Sequence, residues 1–126
     1  MQHGDSKPVH IITPANWRQY ADRIHQQAME KMEIQLGSFE ESVFLGLAQA
    51  GEAGELANVI KKQWRDGQTE ELHKAMRGEI ADVMIYLDHL LNAYKLSATA
   101  IICEKVQELT ERWPEYFEDF EPQKAN

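Results

Sequence analysis

Two pairs of acidic residues stand three apart in this chain, Glu52 with Glu55 and Glu79 with Asp82. Carboxylates at i and i+3 share one side of a helix, so two such pairs on neighbouring helices can converge on one cation. At about 100° per residue, Leu45, Ala48, Leu56 and Val59 lie within roughly 40° of Glu52, and Glu55 lies about 60° away. The same construction on the next helix sets Glu79 between Tyr86 and Leu90, with Asp82 at the border of that sector and His89 close to Asp82. Ionised carboxylates turned toward an apolar interior are costly and repel one another unless a cation compensates them.

An all-oxygen donor set favours Mg2+, Mn2+ or Ca2+. Helical di-iron proteins use Glu-x-x-His pairs, and neither motif here has a histidine three positions after its glutamate. Mg2+ fits best, with Mn2+ as a substitute. Because Mg2+ shares its coordination sphere with substrate phosphates, Glu52, Glu55, Glu79 and Asp82 as ligands point to phosphate chemistry. A single glutamate on an inward face is more often salt-bridged at the surface; two pairs together favour the metal.

Helices must hold these acids. Thr13-Pro14 reads as a cap followed by proline at the first helical position, predicting a helix over 14–35. Gly37 breaks that pattern, and Ser38 with Glu41 matches a capping box opening a second helix over 39–65. It carries Phe44, Leu45, Ala48, Leu56, Val59 and Ile60 before Gly67 ends it. Glu70 and Glu71 suit the positive end of a third helix, whose Leu72, Met76, Ile80, Val83, Leu87, Leu90, Leu91 and Tyr94 recur at helical spacing. Ser97 caps a fourth, with Ile101, Ile102, Val106 and Leu109, which Pro114 terminates. No strand-like alternation and no internal repeat is visible, and the short connections suit antiparallel neighbours. The expected architecture is an all-α four-helix bundle in one domain over 1–126, with its motif region at 38–114 and irregular ends at 1–12 and 115–126.

The bulk properties narrow the partners. A formal charge of −8 and a pI near 5.1 repel polyanions and argue against a nucleic-acid polymer. No apolar run reaches the roughly eighteen residues that cross a bilayer. Cys103, the single cysteine, can form no internal disulfide and reads as a small buried hydrophobe. With no signal-peptide pattern at the start, a cytoplasmic location is expected.

Gly51-Glu52-Ala53-Gly54-Glu55-Leu56-Ala57 followed by Glu79-Ile80-Ala81-Asp82-Val83-Met84-Ile85-Tyr86-Leu87 resembles the E-x-x-E … E-x-x-D signature of MazG-like nucleotide pyrophosphohydrolases. The similarity is strongest over 44–114, including Lys105 and Arg112-Trp113-Pro114, and is closest to the dCTP pyrophosphatase branch. The resemblance implies the all-α NTP pyrophosphatase fold, a homodimer or homotetramer, and Mg2+-dependent hydrolysis of a nucleoside or deoxynucleoside triphosphate to the monophosphate and pyrophosphate. It implies Glu52, Glu55, Glu79 and Asp82 as metal ligands, with Tyr86 and Lys105 near substrate. Gly51 stands where some relatives carry a further glutamate as base, which leaves water activation to Glu52 or Glu55 acting with the metal. Leu109 replaces an asparagine of the dCTP branch, and Glu40-Glu41-Ser42 replaces its histidine-containing stretch, so base preference does not transfer.

Lys62, seven residues after Glu55 and on its face, is a candidate phosphate contact. Lys105 and Arg112, also seven apart, could meet phosphates or pair with surface acids. Trp17 and Trp64 read as core or interface aromatics rather than base-stacking groups. The competing reading is a non-catalytic helical protein that binds a nucleotide or a partner without turnover.

Overall fold

The computed structural model describes residues 6–124 and contains, among them, four α-helices, one 3-10 helix and no strand. Helix α1 spans Trp17–Lys31, α2 Phe39–Asp66, α3 Glu70–Ala93 and α4 Ala98–Arg112. The chain is all-α. Residues 6–12 are irregular, as expected, and residues 1–5 and 125–126 of the expected irregular ends lie outside the described residues. Within the tail, Pro114–Phe117 form a 3-10 helix instead of irregular chain. Proline's fixed φ starts the turn, and the Tyr116 amide closes it by donating to the Trp113 carbonyl at 3.1 Å.

The first helix is shorter than 14–35 at both ends. Asn16 Oδ1 accepts from the Thr13 amide at 2.8 Å while its Nδ2 donates to the Ile11 carbonyl at 2.9 Å. These bonds hold Asn16 at φ −121°, so Thr13-Pro14 belongs to a turn ahead of the helix. At the other end the Ile34 and Glu33 amides donate to the Met29 and Glu30 carbonyls. This is a Schellman closure with Glu33 at φ 56°. Lys95 closes α3 the same way at φ 55°, with Lys95 and Leu96 donating to Asn92 and Leu91. Neither closure uses glycine.

The starts at Ser38 and Ser97 follow the caps read from sequence, and α3, expected from Glu70 and Glu71, starts on a further cap, Thr69. Ser38, Thr69 and Ser97 each accept from the amide three residues ahead, at 3.2, 3.1 and 3.3 Å. The capping box at Ser38 is only half formed. Glu41 Oε1 accepts from the Gly37 amide at 3.1 Å, whereas the Ser38 amide donates to Gln35.

The α2–α3 pair is the one extensive helix–helix contact among the described residues. Leu45 and Met29 are the fully buried large apolar side chains. Ile60, Ile80, Leu87, Tyr94, Ile102 and Val106, all expected in the core, remain exposed, as does Cys103. The accessible surface is 10838 Å². A compact monomer of this mass would expose about 6,900 Å². Much of the apolar patterning therefore finds no partner within one copy of the chain. No helix among the described residues is long and apolar enough to cross a membrane.

Candidate functional site

The acids meet where α2 and α3 pack. Oxygens of Glu52, Glu55 and Glu79 lie within 4.8 Å of one another, and this is the group among the described residues that could hold a metal. Glu52 and Glu79 are half-buried, while Glu55 and Asp82 are exposed, so the two pairs are not equally turned inward. The outer member of each pair sits at the rim because a shift of about 60° around the helix carries it off the packed side. Asp82 lies outside the tight trio, yet its charge acts on Glu52.

One oxygen each of Glu52 and Glu79, the Oε2 in both cases, is shielded from solvent without a hydrogen-bond partner. Buried carboxylate oxygens normally find a donor, because an unmade bond costs the full desolvation of the group. Burial pushes the Glu52 carboxyl up to about 7, reinforced by the charges of Glu55 and Asp82, a hydrogen bond with Glu55 and the charge of Glu79. No cation is among the causes that act on Glu52. Four acids at this density, with two oxygens unsatisfied, fit a hard divalent cation with oxygen ligands.

Tyr86 is at the site. Its phenol is pushed up by burial and then by the charges of Glu52 and Asp82. With Asp82, Phe44, Ile85, His25 and His89 it lines a cavity of about 220 Å³ that opens beside the acids. The cationic candidates are elsewhere. Lys105 Nζ donates to both Glu108 oxygens at 3.2 and 3.3 Å, and Arg112 Nη2 donates to Glu108 Oε1 at 2.6 Å. Lys62 is exposed, and its charge acts on Asp66.

Behind that cavity lies a buried polar network that was not expected from the sequence. Glu41 is 5% exposed and its Oε2 lies 2.8 Å from His25 Nε2. The His25 ring stacks on His89 at 4.6 Å between centroids, and His89 Nδ1 lies 3.6 Å from Asp22. Burial lowers the His89 pKa, the neighbouring His25 adds to this, and Asp22, Asp88 and Glu41 oppose it. His89 thus lines the same cavity as Asp82 and also packs against α1. The available signal was the α1 face on which Ala21, His25, Ala28 and Met29 recur.

Compared with protein-family models and with curated proteins, the chain finds no match.

Proposed function

We propose that the chain is a MazG-like, Mg2+-dependent pyrophosphohydrolase that converts a nucleoside or deoxynucleoside triphosphate to its monophosphate and pyrophosphate. The observation that carries this reading is the pair of shielded, unpartnered oxygens on Glu52 and Glu79 inside a cluster of like charge. Carboxylate oxygens shielded from water among like charges are destabilising unless a cation joins them.

Glu52, Glu55, Glu79 and Asp82 would hold the ion. When bound, Mg2+ supplies charge neutralisation for a triphosphate and makes water more acidic. The chain's own groups do the rest. Glu52 and Glu55 would orient a water and take its proton. Tyr86 and Phe44 offer aromatic walls for a base in the adjoining cavity. In-line attack at the α-phosphorus would then expel pyrophosphate. Lys105, Arg112 and Lys62 remain proposed phosphate contacts, and self-association into a homodimer or homotetramer would complete the bundle.

A second reading is a helical protein that binds nucleotide without turnover. It is favoured by one observation: Lys105 and Arg112, proposed for the phosphates, both pair with Glu108 on their own helix. Incubation with each NTP and dNTP in the presence of Mg2+, with pyrophosphate as readout, separates the two. Release that disappears in Glu55→Ala and Asp82→Ala supports the enzyme; Mg2+-dependent nucleotide binding without release supports the second reading.

A further inference from the structure

Helix α1 rests on the α2–α3 pair with little apolar support. Met29 is its buried side chain, while Ile24 is 72% exposed. What fastens the helix is polar and aromatic. Arg18 Nε donates to Asp88 of α3 at 3.1 Å, and His25 Nε2 lies 2.8 Å from Glu41 Oε2 of α2. The His25 ring stacks on that of His89 in α3 at 4.6 Å, and Asp22 lies 3.6 Å from His89 Nδ1.

The same helix walls the cavity of about 220 Å³ beside the acids, through Ala21, Ile24, His25 and Ala28. Displacing α1 would open that cavity to solvent. The connection from α1 to α2 holds two residues in the left-handed region, Glu33 at φ 56° and Gly37 at φ 83°. A few such connecting positions can absorb the backbone change of a swinging element. Glu41 clasps both parts at once: its Oε1 accepts from the Gly37 amide at 3.1 Å while its Oε2 faces His25.

The clasp responds to protons. An ionised carboxylate only accepts, so His25 Nε2 carries the hydrogen that meets Glu41, and Glu41 balances a charge on that ring. A second charge, on His89, has no equivalent partner. Asp22 is beyond hydrogen-bonding distance with its side chain 43% exposed, and Asp88 is engaged by Arg18. Lys95, on the far side of the two rings, is itself a cation. Toward the cavity stand Asp82 and Tyr86, the latter with its ring 6.3 Å from that of His89. Burial, and then the charge of His25, hold the His89 pKa below its ordinary 6.5 against the opposing pull of Asp22, Asp88 and Glu41. Lifting α1 returns His89 to water and removes the facing ring. Acid therefore favours the lifted state, because that state binds the proton more tightly.

We propose that α1 is a proton-operated lid over the cavity beside the acids, held shut by His25, His89 and Glu41 near neutral pH and released as pH falls. The lid stands whether or not the acids cleave triphosphates.

Hydrogen exchange of the full chain between pH 7.5 and 5.5, in chelator and corrected for intrinsic exchange rates, tests this helix by helix. A released helix of 15 residues is marginal on its own, so its amides should exchange. Protection of α1 relative to the centres of α2 and α3 should fall by up to about tenfold per pH unit below 6.5. Glu52 acts on the α2–α3 pair in the opposite sense, so those centres should keep their protection. His89→Gln, which cannot titrate, should remove the pH dependence of α1, and His25→Gln, which removes the facing charge, should move release to lower pH. If His89→Gln leaves α1 open at neutral pH, the wild-type profile and His25→Gln decide. Relative protection of α1 that does not fall with pH, a loss shared equally by all three helices, or a wild-type dependence retained in both variants would overturn the lid.

Discussion

Glu52 on α2 and Glu79 on α3 bring their carboxylates within 4.8 Å, and each hides one oxygen from solvent without a hydrogen bond. Two unsatisfied acids facing a common point form a cost within the fold that a bound cation removes.

Mg2+ should therefore stabilise the protein. At a concentration about 100-fold above its Kd, a ligand bound only by the folded state adds about 2.7 kcal/mol, which for a chain of this size raises Tm by on the order of 10 °C. Glu79→Gln should raise the Tm of the metal-free protein and abolish the response to Mg2+. Scanning calorimetry of both proteins with and without Mg2+ checks this.

The pH dependence has a defined sign. Folding raises the Glu52 pKa from 4.5 to about 7, so the metal-free folded state holds that proton more tightly than the unfolded chain. The contribution of Glu52 to stability is fully present below about pH 4.5 and is lost as pH rises through about 7. Thermal melts in chelator between pH 5 and 8 should show this decline, and Glu52→Gln should flatten it. Mg2+ should bind more tightly across the same range as the competing proton leaves.

Glu41 supports α1 and the start of α2 together. Glu41→Ala would leave the Gly37 amide and buried His25 without their partner, at a cost of about 1–3 kcal/mol. Urea denaturation reads the change, and Glu41→Gln, which keeps an acceptor, should lose less.

The two helix ends closed by Glu33 and Lys95 in the left-handed region carry strain that glycine would not. Glu33→Gly and Lys95→Gly should each stabilise by about 0.5 kcal/mol, the relief exceeding the added freedom of the unfolded chain. Urea midpoints at unchanged slope would show it.

The helices were legible because their caps are local. Ser38 and Ser97 each bond to an amide three residues on, a relation written into the sequence, whereas α3 was legible from Glu70 and Glu71 and its cap, Thr69, was not singled out. The convergence of Glu52, Glu55 and Glu79 was legible for the same reason, since helical spacing fixes direction. The end of α1 was not legible, because Glu33 adopts a conformation usually left to glycine. Nor was the His25–Glu41 pair: Glu41 had a local explanation as a capping residue, and its second partner comes from another helix, sixteen positions away. Helical spacing also placed Ile80, Leu87 and Val106 on apolar faces without showing that one copy leaves them uncovered.

The central claim is that this acid cluster cleaves triphosphates, and pyrophosphate release from each NTP and dNTP in Mg2+ tests it most directly. The account predicts release from at least one substrate, abolished by chelator and reduced at least about 100-fold, or about 2.7 kcal/mol in the barrier, by Glu55→Ala and by Asp82→Ala. No release from any triphosphate, or release unchanged in those variants, would contradict it.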